Sequence, residues 1–430
     1  MLLRIPLDIR LLLACSAVFG YAISYSGIYL FHILALIWLC LTATRLLSGY
    51  KVNAEKSGYI HVFLLIWVYS IISVLWHPDM AVWLRYQFYF LCGILTVLSV
   101  YQYCGDEENL DRVFLFCGVL LILNLAIGFL ESLSLIRYPL SPYSKYIGYF
   151  GYNGVALGDI TEHVLNVIST KPTGFNYNPN NFGFVTLLIA PFLFFHKQKA
   201  ISFIGMAVCT WILVAIGSKA HFIAFLCMLL FLPFYYKNIL IRVATVFAIM
   251  AVFLVLLALP YIIDLSSVPT LSRMYSSVEH LRLGMSLIIS GDIDPTYSTA
   301  KRAFTYAFGL KELFDTNGFG VGFGGIEARL TEMDFKIKSF HFFFLQLLVD
   351  FGVYFFVIFI VLYFSMIEKL RRLSLRISSE RISYYSKSAS LSLFVAIPAS
   401  LAPSGVHYIL TYYLIIGFAL SILKVGNKYN

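Results

Sequence analysis

The sequence predicts an all-α, polytopic membrane protein with about twelve transmembrane helices, and three observations lead there. Of its 430 residues, 60% are hydrophobic and 12% charged, and the mean hydropathy is +0.83. A soluble domain carries about twice that share of charged side chains. Apolar runs of about 20 residues recur along the chain, the length a helix needs to cross the hydrocarbon core. Finally, the basic surplus, a net charge of +9, gathers in loops that share one side when the spans alternate, a sign of orientation rather than of nucleic-acid binding. A water-soluble core could not hide so much apolar surface, so the whole chain, 1–430, reads as one integral membrane domain.

The spans fall near 8–25, 28–45, 59–76, 82–103, 112–130, 181–195, 200–216, 219–236, 240–263, 342–366, 388–403 and 406–424. Arg4 and Arg10 precede the first of them, but no small-residue cleavage site with a soluble domain follows, so it reads as an uncleaved span rather than a signal peptide. Arg45, Lys51 and Lys56 follow the second span, and His196, Lys197 and Lys199 the sixth. Lys237 and Arg242 flank the loop after the eighth, and "EKLRRLSLRISSERISYYSK" follows the tenth. All lie on one side, which the positive-inside rule makes cytoplasmic, with both termini inside. The acidic stretch "CGDEENLDR" shares that side, but acidic residues weigh little in the rule.

Two long loops are expected on the outer side, 131–180 and 264–341, the second partly helical. Long ordered loops usually carry function. All seven cysteines lie in spans or at cytoplasmic ends, so these loops hold no disulfide framework or cysteine metal site. The absence of an evident internal repeat argues against a repeat-built transporter.

Four inward-running spans begin at the outer side with polar groups. His341 opens the tenth, Arg85 the fourth, Lys171, Asn178 and Asn180 the sixth, and Ser218 and Lys219 the eighth. Helix N-termini expose unpaired N–H groups and partial positive charge, which suit anions. Cations placed there oppose both the helix dipole and the positive-inside bias. The set therefore reads as an anion site for a phosphate or diphosphate at the lipid–water boundary. Its bland rival is a group of basic side chains dipping into headgroups. Asn178 and Asn180 either contact phosphate or sugar hydroxyls or cap the sixth span.

In the last outer loop, residues 299–314 predict an amphipathic helix with Ala303, Tyr306, Leu310 and Leu313 on one side and Arg302 in its first turn. "GFGVGFGG" lacks the preceding strand and the Lys-Ser/Thr ending of a nucleotide loop, and reads as a flexible re-entrant connection. Asp292 and Asp294 in "GDIDPTY" read as a turn rather than a metal pair. A metal-free site is expected, with cationic side chains neutralising charge. Asp350, nine residues after His341, lies about half a helix circumference away and is assigned to packing or interhelical contact. His32, His61 and His407 read as ordinary span residues.

Four stretches, "TGFNYNPNNFG", "GSKAHFIAF", "AKRAFTYAFGL" with "GFGVGFG", and "SFHFFFLQLLVDFGV", resemble the O-antigen ligase/polymerase superfamily of Wzy-type polymerases and WaaL-type ligases. The likeness covers roughly residues 170–360 and rests on order, spacing and common sidedness. Phe342 stands where that superfamily has Asn, Lys219 where Arg is usual, and Asp350 for Glu.

The resemblance implies a GT-C-like helical fold in the bacterial inner (cytoplasmic) membrane and glycosyl transfer at its periplasmic face, without cofactor or metal. It implies an undecaprenyl-diphosphate-linked saccharide donor and a sugar-hydroxyl acceptor as partners among the membrane lipids, with a chain-length regulator as a further candidate. His341 is assigned to proton removal, Arg302 and Lys219 to diphosphate contact, and Arg85 and Lys171 to weaker contact. Polymerase is preferred over a ligase acting on lipid A–core. The rival from another class is a lipid-linked oligosaccharide transporter, which would place its polar groups near the midplane.

Overall fold

The computed structural model describes residues 8–48, 58–153, 170–236, 298–335 and 339–429, with isolated helical positions between 240 and 247. Lys51, Lys56, Lys237, Arg242, Asp292, Asp294 and most of the ninth expected span lie outside the described residues.

Among the described residues there are thirteen α-helices. They are α1 (Ile9–Phe19), α2 (Leu30–Leu47), α3 (Gly58–Ile72), α4 (Met80–Tyr103), α5 (Glu107–Ser132), α6 (Pro179–Phe194) and α7 (Lys199–Ile216). The chain continues with α8 (Lys219–Phe231), α9 (Ser298–Asp315), α10 (Gly325–Glu332), α11 (Phe343–Arg376), α12 (Glu380–Ala399) and α13 (Leu410–Gly426). Among the described residues five helical stretches, Gly58–Leu75, α4, α5, α7 and α11, are long and apolar enough to cross a bilayer, and five shorter apolar helices accompany them. The chain is built as a multi-pass helical membrane protein.

Two span boundaries need correction. The helix α11 runs on to Arg376 and α12 starts at Glu380, so the expected basic loop is a tight corner of residues 377–379. Polar "ERISYYSK" misled the reading because α12 is packed among α6, α8, α11 and α13 rather than against lipid. Its Ser386, Ser388, Ser390 and Ser392 are buried. Ser392 Oγ donates to the Leu188 carbonyl at 2.6 Å and Ser390 Oγ to that of Ile367 at 2.8 Å. Hydroxyls that find carbonyls on neighbouring helices serve as interhelical ties.

The acidic stretch has a structural use. Arg381 pairs with Asp111 at 2.6 Å, Tyr385 donates to the same carboxylate at 2.6 Å, and Ser379 and Tyr429 donate to Glu107 at 3.0 and 2.9 Å. The acids fasten the α11–α12 corner and the C-terminal segment to the start of α5.

At the other end, residues 24–29 form a small antiparallel hairpin, Ser24–Tyr25 with Ile28–Tyr29. Ser26 and Gly27 both have positive φ, +47° and +86°, as a two-residue type I′ turn requires. Ser26 N donates to the Phe150 carbonyl at 2.8 Å and Gly27 N to the Tyr152 hydroxyl at 3.0 Å, joining this hairpin to the loop after α5.

The glycine-rich segment is docked, which corrects the expectation of a flexible connection. Val321 N bonds the Val349 carbonyl, Gly322 N that of Asp350, and Val353 N donates to Gly318 O, at 3.1, 3.0 and 2.9 Å. These bonds meet a break in α11 at Gly352, where φ is +78° and ψ 171°. A Cβ on Gly320 or Gly352 would collide with the facing backbone. Asp350, fully buried, accepts from Gly324 N at 3.1 Å and Ile326 N at 3.5 Å, capping α10 from across the break. That specifies its packing role.

The face of α9 differs in part from the expected one. Thr305, Gly309 and Leu313 are buried, whereas Leu310 is exposed, and the side chain of Ala303 lies outside the described residues. Tyr306 packs on Phe340, ring centroids 5.3 Å apart, and a Cβ on Gly309 would strike the Phe340 ring. The helix thus lies close against the chain entering α11, with Arg302 one turn before Tyr306.

Candidate active site

The starts of α4, α6, α8, α11 and α13 share the end of the bundle opposite the basic corner. Their caps differ. Asp79 caps α4, accepting from Ala81 N and Val82 N at 2.7 and 3.1 Å, and Asn178 caps α6, accepting from Asn180 N at 2.8 Å. At α8 and α11 the N-cap residues, Ser218 and Phe342, make no side-chain cap bond. Those two helices therefore keep first-turn amides that no cap side chain occupies.

Lys219 and His341 stand at these two uncapped starts. The Arg302 charge acts on both, disfavouring the Lys219 ammonium and the His341 imidazolium. Its Nη1 donates to the Leu401 carbonyl at 3.5 Å, while its Nε is buried with no hydrogen-bond partner. Arg302 is within electrostatic range of both Lys219 and His341.

His341 adopts a left-handed conformation, φ +52°, rare for a side-chain-bearing residue and typical of constrained sites. The Tyr306 hydroxyl donates to its carbonyl at 3.3 Å, and its Nδ1 lies 3.4 Å from the Ala402 carbonyl. A carbonyl only accepts, so a neutral ring that donates from Nδ1 to Ala402 carries its proton there. Burial, then the Arg302 charge, push the imidazole down to about 4 against the opposing pull of the Ala402 and Pro403 carbonyls. It is neutral at pH 7.

The remaining expected site residues have other engagements. Arg85 pairs with Glu327 at 2.7 Å. Tyr86 donates to the other Glu327 oxygen at 2.6 Å, and Gln346 bridges Tyr86 and Asp350 at 3.2 Å each. Arg85 is thus part of the lattice that holds α10 on α4 and α11. The Lys171 carbonyl accepts from Arg137 at 2.8 Å. Asn178 spends its side chain on the cap, and Asn180 follows within the first turn of α6.

No family model matches the chain. It is similar to the teichuronic acid biosynthesis protein TuaE of Bacillus subtilis (strain 168), 20% identical over 445 aligned positions that cover 97% of this chain and 84% of that protein. The chain is therefore a distant relative of a protein of surface polysaccharide biosynthesis.

Three features of the site escaped the sequence reading. The first is the turn after α12, whose Leu401 and Ala402 carbonyls face Arg302 and His341; only the prolines of "IPASLAPSG" marked it. The second is Glu131 at the end of α5, fully buried, which accepts from Thr173 N, Gly174 N and Tyr138 N at 2.7, 2.8 and 3.1 Å. With Asn124, which accepts from Phe175 N at 2.7 Å, it shapes the Thr-Gly turn that feeds α6. Gly174 has φ +51°, and a Cβ there would strike Asn124 and Phe182. A lone carboxylate in an apolar run was the available signal. Third, His407 is not an ordinary span residue. It lies in the turn before α13, buried, its ring 4.3 Å from that of Tyr86.

Proposed function

We propose that this protein is a surface-polysaccharide polymerase of the bacterial cytoplasmic membrane. It transfers an undecaprenyl-diphosphate-linked glycan to an acceptor sugar hydroxyl at the outer, periplasmic face. The observation that carries this reading is Lys219 and His341 at two helix starts without side-chain caps, both within the field of Arg302. Cations beside open helix N-termini suit a diphosphate. The similarity to a teichuronic acid biosynthesis protein supports the substrate class.

In the reaction the acceptor oxygen attacks the anomeric carbon of the donor sugar, forming the new glycosidic bond. The carbon–oxygen bond to the diphosphate breaks, its electron pair stays on the diphosphate, and Arg302 and Lys219 offset that charge. The acceptor proton passes to His341 Nε2 and then to solvent. An imidazole held down at about 4 is a weak base in the free protein. A bound diphosphate opposes the Arg302 charge and raises its proton affinity as the donor enters. The basic corner at the opposite end supports the reading that both termini are cytoplasmic.

The test is transfer by the purified full-length protein in detergent, given lipid-linked saccharide alone. A ladder of longer lipid-linked products is expected. Detergent removes the two compartments that transport needs, so a transporter gives no product. A deletion strain that keeps single repeat units on its surface lipid agrees with a polymerase; one that loses all of them points to a ligase.

A further inference from the structure

A run of tyrosines crosses the end of the molecule that carries the candidate site, and the reaction above uses none of it. It begins in the turn that leads from α1 into the hairpin, where the Tyr21 ring stands 6.2 Å from Tyr29, 4.8 Å from Tyr152 and 5.0 Å from Tyr177. Tyr29 is within electrostatic range of Tyr89 and Tyr408, whose rings are 5.8 Å apart. Four segments distant in sequence supply these six rings: the turn and hairpin after α1, the loop after α5, the first half of α4 and the turn before α13.

Three properties distinguish this run from ordinary packing. The rings meet at steep angles, 54°, 71° and 89° around Tyr21 and 59° between Tyr89 and Tyr408, rather than in one parallel stack, and Tyr29 is itself stacked on His32 at 4.7 Å. Polar groups are interleaved with them, some unused: Tyr21 Oη, Asn181 Oδ1 and His407 Nδ1 are buried without a hydrogen-bond partner. Asn181 and His407 are themselves only 6% and 4% exposed. The run also reaches the reacting end. Asn181 engages the Tyr408 hydroxyl, Tyr177 directly precedes the Asn178 cap, and Tyr408 shares its turn with the Ala402 carbonyl that faces His341.

We infer that this tyrosine run is a binding surface for the glycan portion of the substrate, a chain of several pyranose units. The inference rests on the transferase reading for its choice of ligand. A pyranose ring offers an apolar C–H face that lies on an aromatic face, and a rim of hydroxyls that both donate and accept. Tyrosine supplies the matching ring and hydroxyl. Headgroup-anchoring tyrosines form belts around a membrane protein. Here Tyr21 touches Tyr29, Tyr152 and Tyr177, Tyr89 touches Tyr408, and both groups lie at the end that carries the site. A surface of this kind keeps hold of a chain while its end is extended.

The experiment uses full-length protein in detergent. The probe is the oligosaccharide released by mild acid from the lipid-linked product of wild-type cells. Titration calorimetry reads its affinity for wild type, Tyr177→Ala, Tyr21→Ala and Tyr21→Phe. Tyr177 is 40% exposed, so its truncation spares the core. Loss of one stacking ring is expected to weaken binding by roughly tenfold, with Tyr21→Phe, which keeps the ring, within about threefold of wild type. Equal binding by all four proteins, or none by wild type, overturns the inference. So does intact glycan binding by variants whose insertion into phosphatidylglycerol vesicles is weakened, since that identifies a headgroup belt. Ring-dependent binding in a protein that transfers no sugar removes the transferase reading and leaves the surface; transfer with ring-independent binding does the reverse.

Discussion

Arg302 and His341 are held by neighbouring carbonyls of one turn: Arg302 Nη1 lies 3.5 Å from Leu401 O, and His341 Nδ1 3.4 Å from Ala402 O. One donor on each side chain is thereby spent on the α12–α13 turn. The Arg302 Nε is left without a protein partner. The turn sets the separation of the two groups, although they belong to elements far apart in the chain.

On the proposed reaction, His341→Ala removes the proton acceptor and lowers transfer by about 10² to 10⁴-fold. Arg302→Lys keeps the charge but loses the planar fork, so its loss is smaller than that of Arg302→Ala. The checks are the transfer rate in detergent and the polysaccharide ladder in cells, with membrane extraction showing that each variant is still inserted. An unchanged ladder with His341→Ala would falsify the assignment.

The protonation of His341 gives a prediction independent of turnover. Burial and the Arg302 charge hold it down to about 4. The ring should therefore stay neutral and reactive toward diethyl pyrocarbonate from pH 8 to below pH 5 and lose reactivity near pH 4. In Arg302→Gln one of the two lowering causes is gone, so the midpoint moves upward while burial keeps it below the ordinary histidine value. Mass spectrometry of the His341 peptide across pH reads both. A midpoint above 6 in wild type contradicts the described environment.

The parts of this molecule that could be read from sequence are those fixed by lipid and by short-range pattern. Span length follows from bilayer thickness, which is why α4, α7 and α8 fall close to their expected bounds. Arg302, Lys219 and His341 stood out because each breaks an electrostatic rule where it sits. What stayed hidden depends on contacts between distant segments. Nothing local in "ERISYYSK" says that α12 is surrounded by protein, so its serines looked like a loop. Nothing near Arg85 says that Glu327 is its partner, and nothing near Asp350 that it caps α10. Polar residues at a helix start look alike until the partners are known.

The docked glycine segment predicts a stability effect. Gly352 combines φ +78° with backbone contact from Gly318 and Phe319, so Gly352→Ala adds conformational strain and a clash. A loss of about 3 kcal/mol or more is expected. Asp350→Asn keeps the shape but weakens the amide bonds to Gly324 and Ile326, for a loss of about 1–2 kcal/mol. Thermal aggregation of the detergent-solubilised protein ranks them: wild type, then Asp350→Asn, then Gly352→Ala. Wild-type behaviour of Gly352→Ala contradicts the break in α11.

The Arg85–Glu327 pair separates a structural role from a ligand-binding one. The Arg85 side chain is 45% exposed and that of Glu327 22%, so solvent screens the pair and a coupling of about 0.5–1 kcal/mol is appropriate. Arg85→Met and Glu327→Gln should therefore each lower stability slightly, and the double variant should lose less than the sum of the two. Donor KM should change alike in all three, because either substitution releases α10 from α4 in the same way. If Arg85 instead held the diphosphate, Arg85→Met would raise donor KM strongly while Glu327→Gln, by freeing a cation, would leave it unchanged or lower it. The two single-variant KM values decide between these outcomes.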